Sequence, residues 1–297
     1  NWDVSLVTDM YSMLQYAYVF DQDISDWNIS SVTNMNGMFN YTSALSNSNK
    51  GLIHSSFKSN SYWIAAGYNW SVHVPTPAIL TNSNFQTAVD LWCNNKAAAF
   101  TTYGHIRDWN VSGVMNMSNA FKNKTTFNEN ITGWNVSNVT NMFRMFEGAS
   151  AFNQPIADWN ISSVTTISGM FFGATSFNQS ISNWDTYSVT SMLGAFQNAR
   201  AFDQDISDWN TSAVTNMLHI LDGATALSNA NKGKIHKTFS TNSNWPYDWA
   251  EFMPNTPPSN LKSIATLSII ENTQIGTIVG EFNATDPDVN ATLTYSL

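Results

Sequence analysis

Apolar residues recur along this chain with a period of 25 residues, most clearly in the unit WNVSNVTNMFRMFEGASAFNQPIAD at 134–158. Tryptophans follow the same step at Trp2, Trp27, Trp109, Trp134, Trp159, Trp184 and Trp209. Phenylalanines and valines repeat with them. Self-similarity at such a period predicts a solenoid, in which one unit buries its apolar face only against its neighbours.

Within one unit, the pattern predicts a short strand followed by a short helix. Trp134 and Val136 flank the polar Asn135, an alternation typical of a strand with one buried face. The next apolar residues are spaced i, i+3, i+4 and i+7, which is one face of a two-turn helix: Met142, Met145, Phe146 and Ala149. Gly148 lies where helices often end in a left-handed residue. The predicted fold class is an α/β solenoid, with leucine-rich-repeat-like arrays of short strand plus short helix.

The unit also carries a family resemblance. The motif WNVSNVTNM-x-x-MF-x-GA-x-x-FNQ-x-I resembles the BspA-like leucine-rich-repeat surface proteins of bacteria and some protists, and seven units of the chain share it. The resemblance implies an extracellular, cell-surface protein with an adhesive role. The period alone does not show this.

A second motif divides the repeats into two arrays. ALSNSNKGLIHSSFKSNSYW at 44–63 is nearly repeated as ALSNANKGKIHKTFSTNSNW at 226–245, each time directly after repeat units. An element in that position predicts a C-terminal cap, because an uncapped last unit would leave its apolar face in water. We expect the C-terminal part of a first array with its cap at 1–71, a linker at 72–83, and a second array at 84–253, divided into an N-terminal cap at 84–104, repeats at 105–225 and a C-terminal cap at 226–253.

The predicted N-terminal cap is one helix. Asn84 is a suitable first residue, and the helix is expected to end near Tyr103 and Gly104. Its apolar residues are Phe85, Ala88, Val89, Trp92 and Ala99.

The C-terminal residues have a different pattern. A Pro-rich linker is expected at 254–263, and alternation of apolar residues after it predicts strands. The words I-x-E-N-x-x-I-G-T-x-V and A-T-D-P-D followed by L-T-Y-S-L resemble the opening of a cadherin-like domain. This resemblance implies the beginning of an all-β sandwich at 264–297 and calcium ligands at Glu271, Asp286 and Asp288. Calcium takes six to eight oxygen ligands, so a solvated Asp-Pro-Asp turn is the alternative.

Composition limits the classes of partner that the chain is expected to bind. The formal net charge is −9 with only 12 Lys and Arg, whereas nucleic acids and anionic membranes attract clustered cations. We therefore expect no nucleic-acid partner. No apolar run reaches the 18 residues of a membrane span, and a membrane contact is expected only through an anchor outside these residues. The first residues already lie inside a repeat and the last resemble a strand cut short, which predicts a window on a longer polypeptide.

No motif of a known enzyme class is present. The chain contains no nucleophile elbow, HExxH, P-loop or dinucleotide fingerprint. The acidic pair Asp203 and Asp205 recurs as Asp21 and Asp23, which favours a repeat feature over a glycosidase site. We expect cap histidines at the equivalent His54 and His236, and a buried residue rather than a nucleophile at Cys93, the single cysteine.

Polar residues beside the tryptophans form the candidate binding surface. If each tryptophan points into the core, its neighbours face outward in one row: Asp26, Asn28, Asp108, Asn110, Asn135, Asp158, Asn160, Asn183, Asp185, Asp208 and Asn210. Such a row can bind cations, glycans or a partner strand. The alternative is local hydrogen bonding within turns. Five of these asparagines also open N-x-S/T sequons, and glycans attached there would cover the row: Asn28, Asn110, Asn135, Asn160 and Asn210.

The function expected from these observations is non-catalytic adhesion at the cell surface, through repeat surfaces presented to proteins or glycans. The alternative is a structural spacer or filament subunit, and a carbohydrate-active enzyme is a third hypothesis. Self-association is left open. No cofactor is expected besides calcium at the cadherin-like module.

Overall fold

The computed structural model describes residues 2–253 together with the backbone of 259–263 and 282–285. Its helices are α1 (Asn47–Phe57), α2 (Ser61–Ala65), α3 (Phe85–Asn94), α4 (Lys96–Tyr103) and α5 (Asn229–Phe239). Strand β1 (Ile79–Thr81) pairs with β2 (Asn110–Gly113) in parallel, and β3 (Ser259–Ser263) pairs with β4 (Phe282–Thr285) antiparallel. Short 3₁₀ helices lie at Ser71–His73, Ile106–Asp108 and Ala250–Phe252. We refer to residues 2–43 as the first array and 105–225 as the second array.

Turns, rather than regular elements, make up the repeats. Successive repeats are joined by isolated parallel bridges, such as Asn116 to Asn141 and Asn141 to Thr166. Alternate backbone N–H groups donate to the next repeat: Met142 to Thr166, Arg144 to Ser168, Phe146 to Met170 and Gly148 to Phe172, at 2.7 to 3.1 Å. Between these bonds the chain forms β-turns, as where Met145 N–H donates to Met142 O at 3.2 Å. We call 142–148 and its equivalents the turn ladder.

The predicted fold class, an α/β solenoid of leucine-rich-repeat type, is therefore wrong. The predicted helix at Met142 to Ala149 does not form because Arg144 and Gly148 have positive φ angles of 53° and 68°. A right-handed helix tolerates neither. Both positions recur in every repeat of the second array, at Asn119, Gly169, Gly194 and His219 for the first and at Asn123, Gly173, Asn198 and Gly223 for the second.

The predicted strand at Trp134 and Val136 is absent as well. The side chain of Asn135 accepts a hydrogen bond from the backbone N–H of Ser137 at 3.2 Å, and Val139 N–H donates to Val136 O at 2.9 Å. The backbone thus bends at each side of Trp134 instead of extending. Asparagine favours such turns over strands because its side chain competes for backbone donors.

The apolar residues of the repeat nevertheless form the core. Met142, Met145, Phe146 and Ala149 are fully buried, and Trp134 is 3% exposed. Phe146 stacks on its equivalents Phe121 and Phe171 at centroid distances of 5.3 and 5.7 Å. Four indole N–H groups donate to a carbonyl 28 residues earlier, at 2.8 to 3.3 Å: those of Trp134, Trp159, Trp184 and Trp209. Burial therefore follows the 25-residue period even though the secondary structure does not match the prediction.

The duplicated segments form similar helices. Ser46 accepts a hydrogen bond from Asn49 N–H at the start of α1, and Ser228 accepts one from Asn231 N–H at the start of α5. Leu52 of α1 packs in the core of the second array, whereas its neighbours Ile53 and Phe57 pack in the core of the first. Helix α1 therefore contacts both arrays.

The single helix predicted after Asn84 is two helices. Asn95 interrupts it with φ −150° and ψ 82°, and its side chain accepts a hydrogen bond from Ala98 N–H at the start of α4. The side chain of Asn84 makes no capping hydrogen bond to α3. It accepts a hydrogen bond from Thr81 N–H at 2.8 Å instead. Phe85, Ala88, Val89, Trp92 and Ala99 are buried as predicted.

The C-terminal prediction of a cadherin-like sandwich is also wrong for the part of the chain that the structure describes. The two strands there, β3 and β4, form one antiparallel pair and no second sheet packs on it. The predicted calcium ligands Glu271, Asp286 and Asp288 lie outside the described residues.

Candidate ligand cleft between the two arrays

Residues of the predicted polar row point outward, but most make local hydrogen bonds. The five asparagines of the row that open sequons each accept a hydrogen bond from the N–H two residues later, at 2.9 to 3.2 Å: Asn28, Asn110, Asn135, Asn160 and Asn210. Asp185 does the same with Tyr187 N–H at 3.0 Å. Asn183 accepts from Ser182 Oγ at 3.3 Å. Asp158 and Asp208 are exposed, and Asp108 is half-buried. The row is therefore a series of small turns rather than a convergent site.

Two members of the row, Asp26 and Asn28, line a cleft of about 1070 Å³. One wall belongs to the first array at 25–33, and a second to residues 56–62, from the end of α1 to the start of α2. The third belongs to the second array and includes Arg107 and Glu129. The sequence did not indicate this cleft because its lining extends from Ser25 to Gln154, about 130 residues apart in the chain, and the repeat pattern gives no signal for how the two arrays meet.

A partly buried charge cluster adjoins the cleft through two of its lining residues, Asp26 and Glu129. Lys96 Nζ of α4 lies 3.2 Å from Asp23 Oδ2, 2.9 Å from Asp26 Oδ1 and 3.0 Å from Glu129 Oε1. The lysine side chain is only 20% exposed. Its burial opposes the charge, but attraction to Glu129, Asp23 and Asp26 outweighs burial and raises the lysine pKa. Burial also disfavours the charged form of Glu129 and therefore raises the pKa of its carboxyl group, although attraction to Lys96 acts in the opposite direction. One ammonium group thus joins both arrays.

Arg107 supplies the second cation of the cleft. Its guanidinium donates to Ser56 Oγ at 3.2 Å and to His105 Nδ1 at 3.4 Å. Burial, and then the neighbouring charges of Arg107, Lys96 and Lys58, lower the pKa of His105 to about 2. The imidazole is therefore neutral near pH 7.

One polar group in the lining has no partner. Ser25 is 2% exposed, and its Oγ makes no hydrogen bond with any described residue. A buried hydroxyl without a partner is unfavourable by about 1 to 3 kcal/mol, but this oxygen has almost no accessible surface, so a ligand reaches it only if the Ser25 side chain turns into the cleft. Half-buried Trp27 and exposed Tyr62 provide apolar surface nearby. The lining suits a polar, extended ligand.

A matching but smaller groove exists at the other cap. It lies between residues 209–215 and 238–244 and has a volume of about 660 Å³. Its lining includes Trp209, Asn210 and Asn242, the equivalents of Trp27, Asn28 and Asn60 in the cleft. No third wall with an arginine or a carboxylate lines it. The groove serves below as an internal control.

Comparison with protein families assigns most of the chain. A family model described as Mycoplasma protein of unknown function, DUF285, matches residues 1–71, 90–185 and 156–247. The chain belongs to the DUF285 family. No curated protein and no solved structure matches it. The DUF285 description addresses neither the BspA-like nor the cadherin-like resemblance, which both stay predictions.

The cap histidines of this DUF285 chain have a structural role. His54 Nδ1 accepts hydrogen bonds from Trp63 Nε1 at 3.1 Å and from Trp70 N–H at 3.4 Å. His236 does the same with Trp245 and Trp249 at 3.0 and 3.4 Å. Each histidine thus fastens the segment that follows its helix.

Cysteine and metal chemistry find no support among the described residues. Burial raises the pKa of the half-buried Cys93 to about 11, so its thiol is protonated near neutral pH and is a poor nucleophile. No group of three or more histidine, cysteine or acidic side chains is arranged to hold a metal ion within the described part of this DUF285 chain. None of the described helices is long and apolar enough to cross a membrane. Calcium binding at Glu271, Asp286 and Asp288 stays an untested prediction.

Proposed function

We propose that the chain is a non-catalytic interaction module of an extracellular, cell-surface adhesion protein, and that it binds a partner protein or glycan in the cleft. The observation that carries this proposal is the cleft itself, a concave surface on which Asn28, Arg107 and Tyr62 lie together. Concave sites with a few fixed polar groups are the usual form of ligand-binding sites.

The rigid junction supports the same proposal. Lys96 fixes the first array against the second through three carboxylates, so the walls of the cleft are held in place before a ligand arrives. Preorganisation of this kind raises affinity because less ordering is required on binding. The outward row supplies polar surface around the cleft but, in this proposal, little of the binding energy, since its acceptors are already engaged.

The spacer hypothesis remains the alternative. The stacked phenylalanine columns, such as Phe152 on Phe177 at 6.0 Å, provide stiffness that a spacer needs. Those columns are buried and serve the fold equally in an adhesion protein, whereas a pure spacer gives no reason for a concave cleft lined by Asn28, Arg107 and Tyr62.

A pair of matched substitutions tests the proposal. Ser30→Trp fills the cleft, and Ser212→Trp places the same side chain at the equivalent position of the smaller groove. Binding of the full chain is measured on a glycan array and on cultured host cells. We expect Ser30→Trp to weaken binding at least about tenfold, which is 1.4 kcal/mol, and Ser212→Trp to change it less than twofold.

Two outcomes contradict the proposal. If the parent chain binds neither glycans nor cells above an albumin control, the adhesive function is wrong. If both substitutions weaken binding equally while the thermal midpoints stay unchanged, the cleft is not the binding site.

A further inference from the structure

The exposed tyrosines of the first array lie outside the cleft and have no counterpart in the second array. Tyr16 and Tyr41 occupy equivalent turn-ladder positions in consecutive repeats, and their rings stack at a centroid distance of 4.8 Å and an angle of 3°. Tyr18 lies beside them, 6.0 Å from Tyr16. The three rings are 53, 63 and 59% exposed for Tyr16, Tyr41 and Tyr18. We call these three residues the tyrosine ridge.

The backbone at both stacked tyrosines is strained. Tyr16 has φ 64° and Tyr41 has φ 63°, a left-handed conformation that a bulky side chain rarely adopts. All five repeats of the second array have the same left-handed conformation at this position, and they fill it with residues that tolerate it: Asn123, Gly148, Gly173, Asn198 and Gly223. Tyrosine at this position in both repeats of the first array therefore opposes the local preference of the backbone.

Folding gives no compensation of matching size. The rings are more than half exposed, so little apolar area leaves water, and only their mutual stacking is gained. The backbone N–H of Tyr16 donates to Asn40 O at 2.9 Å, but any residue type provides that bond. Strained residues that the fold does not require cluster at ligand-binding positions.

The surroundings of the ridge narrow the class of ligand. Residues 1–45 contain no lysine or arginine and five aspartates, Asp3, Asp9, Asp21, Asp23 and Asp26. An anionic ligand is therefore repelled. The residues in backbone contact with the ridge, Asn40 and Ser43, are exposed and polar. Flat aromatic faces with a polar rim match a sugar ring, which has an apolar C–H face and hydroxyl edges. A stable protein partner would need about 1,000 Å² or more of buried surface, well above what three rings provide.

We infer that the tyrosine ridge is a second binding surface, separate from the cleft, on which a neutral carbohydrate chain stacks its sugar rings. Tyr16 and Tyr41 provide the stacked faces, Tyr18 extends them sideways, and Asn40 and Ser43 offer hydrogen bonds to hydroxyl groups. The left-handed backbone fixes both ring positions before the ligand binds.

Affinity electrophoresis of the full chain tests this inference. Native gels contain hydroxyethylcellulose, konjac glucomannan or hyaluronan, the last as an anionic polysaccharide. We expect at least one neutral polysaccharide to retard the parent chain and hyaluronan to leave its mobility unchanged. The double variant Tyr16→Gly/Tyr41→Gly should lose at least about nine-tenths of the retardation. Its thermal midpoint should be equal or higher, because glycine relieves the strained backbone.

The matched control is Tyr187→Gly. Tyr187 is 68% exposed in the second array, and its φ is not positive. This variant should keep the full retardation. The cleft variant Ser30→Trp should also keep it, so failure of the cleft proposal and failure of this inference are distinguishable.

Four outcomes overturn the inference. The first is that no neutral polysaccharide retards the parent chain, and the second is retardation that survives in the double variant. The third is a lowered thermal midpoint of the double variant, which would give the tyrosines a structural role. The fourth is a difference in oligomeric state between the parent chain and the double variant in size-exclusion chromatography, which would show that the ridge contacts a second copy of the chain.

Discussion

At the scale of single residues, backbone conformation decides which side chains this repeat accepts. Gly173 has φ 67°, and a Cβ added there would meet only ordinary contacts, with Gly148 Cα at 3.8 Å. Gly133 has no positive φ, and a Cβ added there would meet nothing within 4 Å. The two glycines therefore separate the effect of conformation from the effect of space.

The expected result is a difference in sign. Gly173→Ala should lower the free energy of unfolding by about 1 to 2 kcal/mol, because alanine disfavours the left-handed region. Gly133→Ala should leave it unchanged or raise it by up to about 1 kcal/mol, because alanine restricts the unfolded chain. Urea denaturation followed by tryptophan fluorescence measures both. Equal effects of the two substitutions would show that left-handed backbone is not what the turn ladder requires.

His105 predicts how stability depends on pH. Its pKa is lowered from 6.5 to about 2 by burial and by Arg107, Lys96 and Lys58, so the unfolded chain binds a proton below pH 6.5 and the folded chain does not. The stabilisation is complete above pH 6.5 and is lost as pH falls. This one residue should lower the free energy of unfolding by about 1.4 kcal/mol per pH unit between pH 6 and 4.

His105→Gln tests that slope because glutamine does not titrate. Its side chain also keeps an acceptor for the backbone N–H of Arg107, which lies 3.3 Å from His105 Nδ1. Denaturation curves at pH 7, 6, 5 and 4 should show a flatter decline for the variant, with the difference growing at each step. Parallel declines for the two proteins would mean that His105 is protonated in the folded state.

At the scale of elements, the sequence predicted the core better than the secondary structure. The spacing of Met142, Met145 and Phe146 identifies buried residues correctly, because an apolar face is required whatever the backbone does. The same spacing fits both a helix and a series of β-turns. The turns form because Gly148 and its equivalents have a left-handed backbone and are each preceded, four positions earlier, by a second left-handed residue. That earlier position holds Asn119, Arg144 and His219 as well as glycines, so residue type alone gave no signal.

The candidate site was less accessible to prediction. Asp26 and Asn28 were expected in an outward row, but the row did not indicate that Lys96 and Glu129 meet Asp26 from other parts of the chain. Contacts between arrays depend on how α1 packs against α4, where Phe100 lies close to Gly51. A periodic pattern describes contacts between neighbouring repeats and contains no information about such a junction.

Helix α5 carries a testable requirement of its own. A Cβ on Gly233 would lie 1.7 Å from the carbonyl oxygen of Phe252 and 2.5 Å from its carbonyl carbon, so the C-terminal segment must move to accept any other residue. In an ordinary helix, alanine is more favourable than glycine by about 1 kcal/mol. Gly233→Ala should reverse that sign and destabilise the chain by about 2 kcal/mol, as overpacking does.

The matched control is Lys237→Ala, an exposed position of the same helix. It should change the free energy of unfolding by less than about 0.5 kcal/mol. Trp249 precedes the segment that crosses Gly233, and its fluorescence should shift to longer wavelength only in Gly233→Ala. A neutral or stabilising Gly233→Ala would contradict the close approach of Phe252 to the helix.

At the scale of the whole molecule, a half-buried lysine adds an ionic contact to the junction between the two arrays. Lys96 lies within 3.2 Å of three carboxylates from both arrays. Lys96→Met keeps most of the apolar stem but removes the ammonium group, which lies 5.4 Å from the centroid of the Trp92 ring, and leaves Asp23, Asp26 and Glu129 without a cation. Removing one partner of a buried ion pair is unfavourable by about 3 to 5 kcal/mol, so we expect a loss near the lower limit, since the carboxylates can separate into water.

Separation of the carboxylates would open the junction, and this distinguishes the variant from one that is simply less stable. Small-angle X-ray scattering should show a larger radius of gyration for Lys96→Met at pH 7, and binding in the cleft should weaken because its walls are no longer fixed.

The matched control is Lys234→Met, which breaks the more exposed ion pair with Asp205 at 3.0 Å. An exposed pair contributes less than about 1 kcal/mol, so the control should keep its radius and its stability. Adding Glu129→Gln to Lys96→Met returns the cluster to the net charge of the parent chain and should recover part of the compact form, because fewer carboxylates then repel one another. If Lys96→Met remains as compact as the parent chain, the arrays are held together by apolar contacts of α1 and α4 alone, and the charge cluster serves the cleft rather than the junction.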